Sequence, residues 1–302
     1  MCVLLLGHDG VQWKSWLREC IAKGEGLVCL DPAEATQTCP GRFWRNEGGK
    51  LVGSRFFGSL QAMSAPHVVL LAAATLVQPG DTVLLPPYRP SPLGFQSLLL
   101  LIELLRPERV IVADGTPIDV DHLPCLAEHV EVESAFPLAI QISQRKAQWM
   151  KLIDESTPHE ELLTNLTLEG VRLGSGELIR PTEAHGVGLR DALRVEVQGS
   201  TLFIIQDGEI EDSLASRALD HFHCQRLLVA PPDRYARRLA ALAKASNEEI
   251  CMAILDRIDF EVGVVHLLSP AEKPVPVKTL RVGALGVGPT GNELGELKPW
   301  QA

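Results

Sequence analysis

The sequence predicts an α/β protein: a doubly wound parallel sheet over residues 1–158, followed by a β-rich domain over 159–302. Three observations carry this expectation. Strand-like and helix-like segments alternate with short connections through the first half. After about residue 158 the pattern changes to short alternating apolar segments separated by glycine turns. A chain of 302 residues with 46% hydrophobic content is also long enough for two cores.

Val3–Leu6 reads as a short buried strand, with Gly7-His8-Asp9-Gly10 as the turn after it. Trp13, Trp16, Leu17, Cys20 and Ile21 follow at helical spacing, one apolar stripe on a helix that Gly24 and Gly26 close. Residues 27–30 form the next strand, which ends at Asp31. Residues 32–60, with Pro40, Gly41, Gly48 and Gly49, read as loop. Helices over 67–77 and 93–105 and strands over 82–85, 110–113 and 130–132 complete the alternation. In the second half 167–173, 193–197, 201–206, 260–268 and 278–285 read as strands. Asp207-Gly208 reads as a hairpin turn, and 234–245 as a basic helix carrying Arg234, Arg237, Arg238 and Lys244.

Composition narrows the function classes. A net charge of −10 argues against a broad basic surface for nucleic acid and leaves room only for a local groove. The seven cysteines are scattered, odd in number and without a CxxC pair, which fits a reducing compartment. The expected location is therefore cytoplasmic, or nuclear in a eukaryote. The longest apolar run, 98–105, contains Glu103, so no membrane span is predicted.

Chemistry is expected first at the turn after the opening strand. Glycines there would let backbone N–H groups surround phosphates, a lysine would reach the β/γ-phosphates, and a serine or threonine would hold Mg²⁺. Gly7-His8-Asp9-Gly10-Val11-Gln12-Trp13-Lys14-Ser15 has the Lys-Ser pair at a helix start. Trp13 stands where a glycine normally precedes the lysine, and a plain strand–turn–helix with an exposed lysine would look the same.

Later segments give this turn a context. Residues 27–35, Leu-Val-Cys-Leu-Asp-Pro-Ala-Glu-Ala, followed by Cys39-Pro40-Gly41, resemble the D-x-D-x-G-Q-S … P-G signature of the polynucleotide 5′-hydroxyl kinases. That family includes the kinase subunit of pre-mRNA cleavage factor and its nucleolar and archaeal relatives. Asp31 takes the place of the second Asp, Ala33 of the Gly and Glu34 of the Gln, while Cys29 replaces the first Asp. Phe56-Phe57-Gly58-Ser59 is similar to the family's Y/F-F-x-G-S segment. Residues 93–112 are similar to its G-x-x-L-L…R-P-x-x-V-I run, and 254–259, 267–270 and 280–283 to elements of its final β-domain.

The resemblance implies a P-loop NTPase-like first domain and ATP-dependent, Mg²⁺-assisted phosphoryl transfer to the 5′ end of RNA or DNA. It places Gly7, Gly10, Lys14, Ser15 and Trp16 around the nucleotide and assigns the metal to Ser15 and Asp31. It has Asp31 orient or deprotonate the hydroxyl, and Arg145, from the lid-like stretch 143–149 with Lys146 beside it, stabilise the transferred group. Trp13, Cys29 and Pro86-Pro87-Tyr88, which stand in place of family glycine, aspartate and T-x-G positions, argue for weakened or lost activity. The alternative is a non-catalytic subunit of an RNA-processing complex with protein partners and no membrane contact. A P-loop enzyme acting on a small molecule is a third possibility.

Other constellations are weaker. His221-Phe222-His223-Cys224 would put two imidazoles on one strand face, without a second ligand pair at zinc spacing. The basic helix reads as a solvated face. Trp13, Trp16, Trp44, Trp149 and Trp300 are too dispersed for a base-stacking platform.

Overall fold

The computed structural model describes residues 1–270 and 276–297, so Trp300 lies outside the described residues. The chain forms two compact units, Met1–Gln148 and Trp149–Ala302.

The first unit opens with β1 (Val3–Leu6), β2 (Val11–Gln12), α1 (Lys14–Lys23) and β3 (Leu27–Cys29). Helix α1 ends at Gly24, whose left-handed conformation (φ 71°) lets its N–H reach the carbonyls of Cys20 and Ile21. A hairpin follows, β4 (Arg42–Glu47) and β5 (Lys50–Phe56). Then come α2 (Pro66–Leu76), β6 (Thr82–Leu84), α3 (Pro92–Leu105), β7 (Arg109–Ala113), β8 (Ala127–Val130), β9 (Glu133–Ser134) and α4 (Leu138–Asp154). Helices α2 and α3 both begin with proline, which suits a first turn that has no use for its N–H. Ser91 caps α3 by accepting from Gly94 N–H at 2.9 Å.

Seven strands form one sheet in the order β5-β4-β3-β6-β1-β7-β8. The five from β3 to β8 are parallel, and β4 and β5 extend the β3 edge antiparallel. The sheet is thus mixed, and the loop expected over 32–60 is corrected: most of it is this hairpin. Gly48 and Gly49, at φ 55° and 81°, supply the two-residue turn that matches strand twist. Buried apolar residues lie on both faces, Leu4, Val28, Val83 and Val110 on one and Leu5, Leu27, Leu84 and Ile111 on the other.

One ion pair fastens the hairpin to the sheet. Asp81, 2% exposed, accepts from Arg45 Nε at 3.0 Å and Nη2 at 3.1 Å, and also from Gln78 N–H at 2.8 Å. Gly26 is required beside it, because a Cβ there would lie 1.8 Å from Asp81 Oδ1.

The second unit contains β10 (Thr157–Leu162), β11 (Thr167–Glu169), β12 (Glu177–Leu178), α5 (Pro181–Val187), β13 (Arg194–Gln198) and β14 (Thr201–Ile205). It continues through α6 (Asp212–His221), β15 (Arg226–Ala230), β16 (Arg238–Ala243), β17 (Glu249–Asp259), β18 (Val264–Ser269), β19 (Thr279–Val287) and β20 (Glu293–Glu296). One sheet runs β10-β18-β17-β16-β19-β11 with β20 on β19, and a second runs β12-β13-β14-β15. Strands β14 and β15 are parallel and joined through α6.

Three expectations are corrected in this unit. The basic helix over 234–245 is a 3₁₀ turn at Pro232–Tyr235 followed by β16, a central strand between β17 and β19. Leu239 to Ala243 are all fully buried, and a strand covered on both faces has no alternation to distinguish it from a helix. Its arginines are structural: Arg237 pairs with Asp256 at 3.0 Å, and Arg238 donates to the Ala284 carbonyl at 3.1 Å. His221 to Cys224 form the end of α6 and its exit turn, with His223 at φ 54°, not a strand face. Among the described residues no cluster of His, Cys, Asp or Glu is arranged to hold a metal. Asp207-Gly208 lies in the connection from β14 to α6, so it is not a hairpin turn.

Replacing Asp81 by alanine removes the buried partner of the Arg45 guanidinium and leaves it only the exposed Glu47 carboxylate at 2.9 Å. The expected loss is about 3–5 kcal/mol in urea unfolding. A loss under about 1 kcal/mol would show that the hairpin is held by its apolar contacts instead.

Candidate functional site

The chain leaves β1 toward β3 on one side of the sheet and later reaches β7 on the other. Crevices at the carboxyl ends of parallel strands arise where such crossovers diverge. A cleft of about 890 Å³ opens there, lined by the segments that follow β1, β3 and β6 and by the start of α4. Gly7, Gly10, Lys14, Asp31 and Arg145, all among the expected site residues, line it. His8, Asp9, Arg18, Glu34, Arg89 and Phe136 join them. Trp16 is half-buried in the core, edge-on to Trp13 with ring centres 6.0 Å apart, and does not line the cleft. Ser15 does not line it either, because its side chain is engaged elsewhere.

The turn between β1 and α1 is bonded to its own surroundings. Gly10 N–H donates to His8 Nδ1 at 3.0 Å and Val11 N–H to the His8 carbonyl at 3.2 Å. Val11 and Gln12 then pair antiparallel with Ser134 and Glu133, and Ala135 N–H donates to the Gly10 carbonyl at 2.9 Å. Tyr88 N–H, the first donor after Pro86-Pro87, goes to the Gly7 carbonyl at 2.7 Å. Trp13, 5% exposed, packs into the core with Leu5, Leu17 and Trp44. A Cβ on Gly7 would lie 2.6 Å from Val11 Cγ2 and 3.1 Å from Trp13 Nε1, so these side chains fill the space beside the turn.

Helix α1 starts without a local cap. Its N-cap residue is Trp13, which makes no capping hydrogen bond, and no acidic residue lies in the first turn. Glu133, 118 residues away in the chain, supplies the missing acceptor: Ser15 N–H donates to Glu133 Oε1 at 3.0 Å, and the Ser15 hydroxyl donates to the same oxygen. These bonds and the nearby Lys14 ammonium hold the Glu133 carboxyl below the usual carboxylate range. Lys14 Nζ lies 5.1 Å from the centre of the Phe136 ring, a cation–π contact. Glu133 and Phe136 were not identified from the sequence. The one local signal was an α1 start that lacks a capping residue.

Across the cleft, Asp31 accepts from Ala33 N–H at 3.0 Å, an Asx turn that fixes its carboxylate. Burial pushes its carboxyl up to about 7; Glu34 and Asp9 add to the rise, while the Ala33 N–H and the Arg145 charge oppose it. Asp9 forms a two-point ion pair with Arg89, at 3.0 and 3.3 Å, both side chains exposed.

Several of the groups that a triphosphate and Mg²⁺ would use at this turn are already engaged. The Gly10 and Val11 donors, the Ser15 N–H and the Ser15 hydroxyl are all committed within the chain, and a carboxylate already stands at the helix start.

The fold has known counterparts. Two solved structures of Clp1p with Pcf11p share it, with TM-scores of 0.53 and 0.56. Each is 12% identical in sequence and covers 94% of this chain and 74% of the other. One is described as showing an extended Pcf11p–Clp1p interface and the basis of ATP loss in a glycine-to-arginine mutant, the other as the wild-type complex. No protein-family model and none of the curated proteins matches the chain. The likeness therefore establishes the fold: a mixed α/β chain of several sheets built like Clp1p.

The sign of the Asp31 effect follows from its raised pKa. The folded state holds this proton more tightly than the unfolded chain, so the contribution of Asp31 to stability is full below about pH 4 and is lost as pH rises through about 7. Asp31→Asn removes the charge and keeps an oxygen for Ala33 N–H. It is expected to stabilise the protein by about 1–3 kcal/mol at pH 8, with a smaller gain at pH 5, in parallel urea titrations. An equal gain at both pH values would show that Asp31 titrates normally.

Proposed function

We propose that this chain is a kinase-fold protein that works without phosphoryl transfer, as a non-catalytic subunit or scaffold of an RNA-processing complex. The observation that carries this reading is the turn between β1 and α1. Its Gly10, Val11 and Ser15 N–H groups are bonded within the chain, and Val11 and Trp13 crowd the space beside Gly7. Phosphoryl transfer is largely positioning and charge stabilisation around phosphates, and a turn whose Gly10, Val11 and Ser15 donors are already engaged offers less of both. The fold neighbours support the reading, since both hold a protein partner. The RNA-processing assignment comes from the sequence resemblance to the kinase subunit of pre-mRNA cleavage factor.

One observation favours a second reading, an ATP- and Mg²⁺-dependent kinase acting on RNA or DNA 5′ ends. Lys14, Asp31 and Arg145 line the same cleft, and a carboxyl near 7 suits a group that accepts a proton at neutral pH. In that reading Asp31 takes the proton of the attacking hydroxyl, and Lys14 and Arg145 stabilise charge on the transferred group.

The two readings separate in one assay. With γ-labelled ATP, Mg²⁺ and 5′-hydroxyl RNA or DNA oligonucleotides, the wild-type protein is expected to transfer no more label than Lys14→Ala. ATP is also expected to leave the unfolding midpoint unchanged, whereas a ligand at 100 times its Kd would add about 2.7 kcal/mol. Label on the oligonucleotide that disappears in Lys14→Ala would establish the kinase.

A further inference from the structure

We propose that Glu133 is an internal plug: its carboxylate takes the anion position at the head of α1, and residues 133–136 close the turn after β1 against polyphosphates. The inference rests on the non-catalytic reading above and supplies a physical cause for it.

The argument begins with the helix. The first N–H groups of α1 have no partner within the helix and carry a partial positive charge that favours an anion. Nothing nearby in sequence satisfies them, since Trp13 makes no cap and the first turn has no acid. Glu133 accepts from one of them, Ser15 N–H at 3.0 Å, and from the Ser15 hydroxyl. A backbone N–H, a hydroxyl and a neighbouring ammonium are the groups an oxyanion would use, and here all three act on a carboxylate of the same chain. A second anion at this helix start would meet the charge of Glu133 at close range.

Three further contacts hold the plug in place. Val11 pairs with Ser134 and Gln12 with Glu133, Ala135 N–H donates to the Gly10 carbonyl at 2.9 Å, and Phe136 stacks under the Lys14 ammonium. Each strand of this ladder is only two residues long. A ladder so short has little stability of its own, so the charge of Glu133 on α1 is the part that decides whether the segment stays closed.

The test uses the full chain as wild type, Glu133→Ala, Glu133→Gln and Ser15→Ala, each unfolded thermally over a titration of inorganic tripolyphosphate. The wild-type midpoint should not move. Glu133→Ala and Glu133→Gln should gain a saturable rise, with apparent affinity at least about tenfold above wild type. Ser15→Ala keeps the carboxylate at the site and should stay unresponsive. A folded Glu133→Ala that ignores tripolyphosphate overturns the plug and leaves the non-catalytic reading standing. Label transfer by the wild type in the kinase assay overturns that reading instead. Should both Glu133 variants fail to fold, hydrogen exchange on the wild type decides. The Ser15 amide should exchange slowly without ligand and be unchanged by tripolyphosphate; protection that appears only with tripolyphosphate overturns the proposal.

Discussion

A helix that begins at the carboxyl end of a parallel strand points its unsatisfied N–H groups at the mouth of the sheet. Something must accept from them, and in this protein the acceptor is a side chain from the far end of the same unit. That pairing ties residues 133–136, two of which line the cleft, to the start of α1. Strand β9 pairs with β2, Glu133 reaches Ser15, and Phe136, two residues past β9, lies beside the Lys14 ammonium. The start of α4 is thereby placed along the cleft, which puts Arg145 on its wall.

Trp13 belongs to the same arrangement. A side chain of that size next to a phosphate would block close backbone approach, but in the core beside Leu5, Leu17 and Trp44 it contributes apolar burial. The turn thus exchanges ligand-facing backbone for packing and internal hydrogen bonds. The cleft that remains is electrostatically mixed. Lys14, Arg18, Arg89 and Arg145 line it together with Asp9, Asp31 and Glu34, and Arg89 is paired with Asp9.

The second unit solves its own burial problem with a carboxylate. Glu196 on β13 is fully buried, yet it accepts from Gly174 N–H at 2.9 and 3.0 Å, Gly176 N–H at 3.3 Å and Gln198 Nε2 at 3.2 Å, and it pairs with Arg194. A buried charge with its lone pairs satisfied costs far less than an isolated one, and here it fastens the 174–176 loop onto the second sheet. Like Glu133, Glu196 serves backbone donors distant in sequence, so neither role was visible as a motif.

The parts of the fold legible in the sequence were those with local causes. The helical stripe from Trp13 to Ile21, the helix over 93–105 and the apolar strands β1, β6 and β7 depend on spacing and burial along a few residues. Lys14, Asp31 and Arg145 could be named for the cleft because motif order alone places them near strand ends and a lid-like helix. The β4–β5 hairpin and β16 were missed for opposite reasons: the first looked like a loop because of its glycines, and the second like a helix because its alanines and leucines are buried on both faces. Whether the turn after β1 could cradle phosphates was not a local question. It depends on what the tertiary fold places at the start of α1, and only folding brings Glu133 across 118 residues to accept from Ser15 N–H.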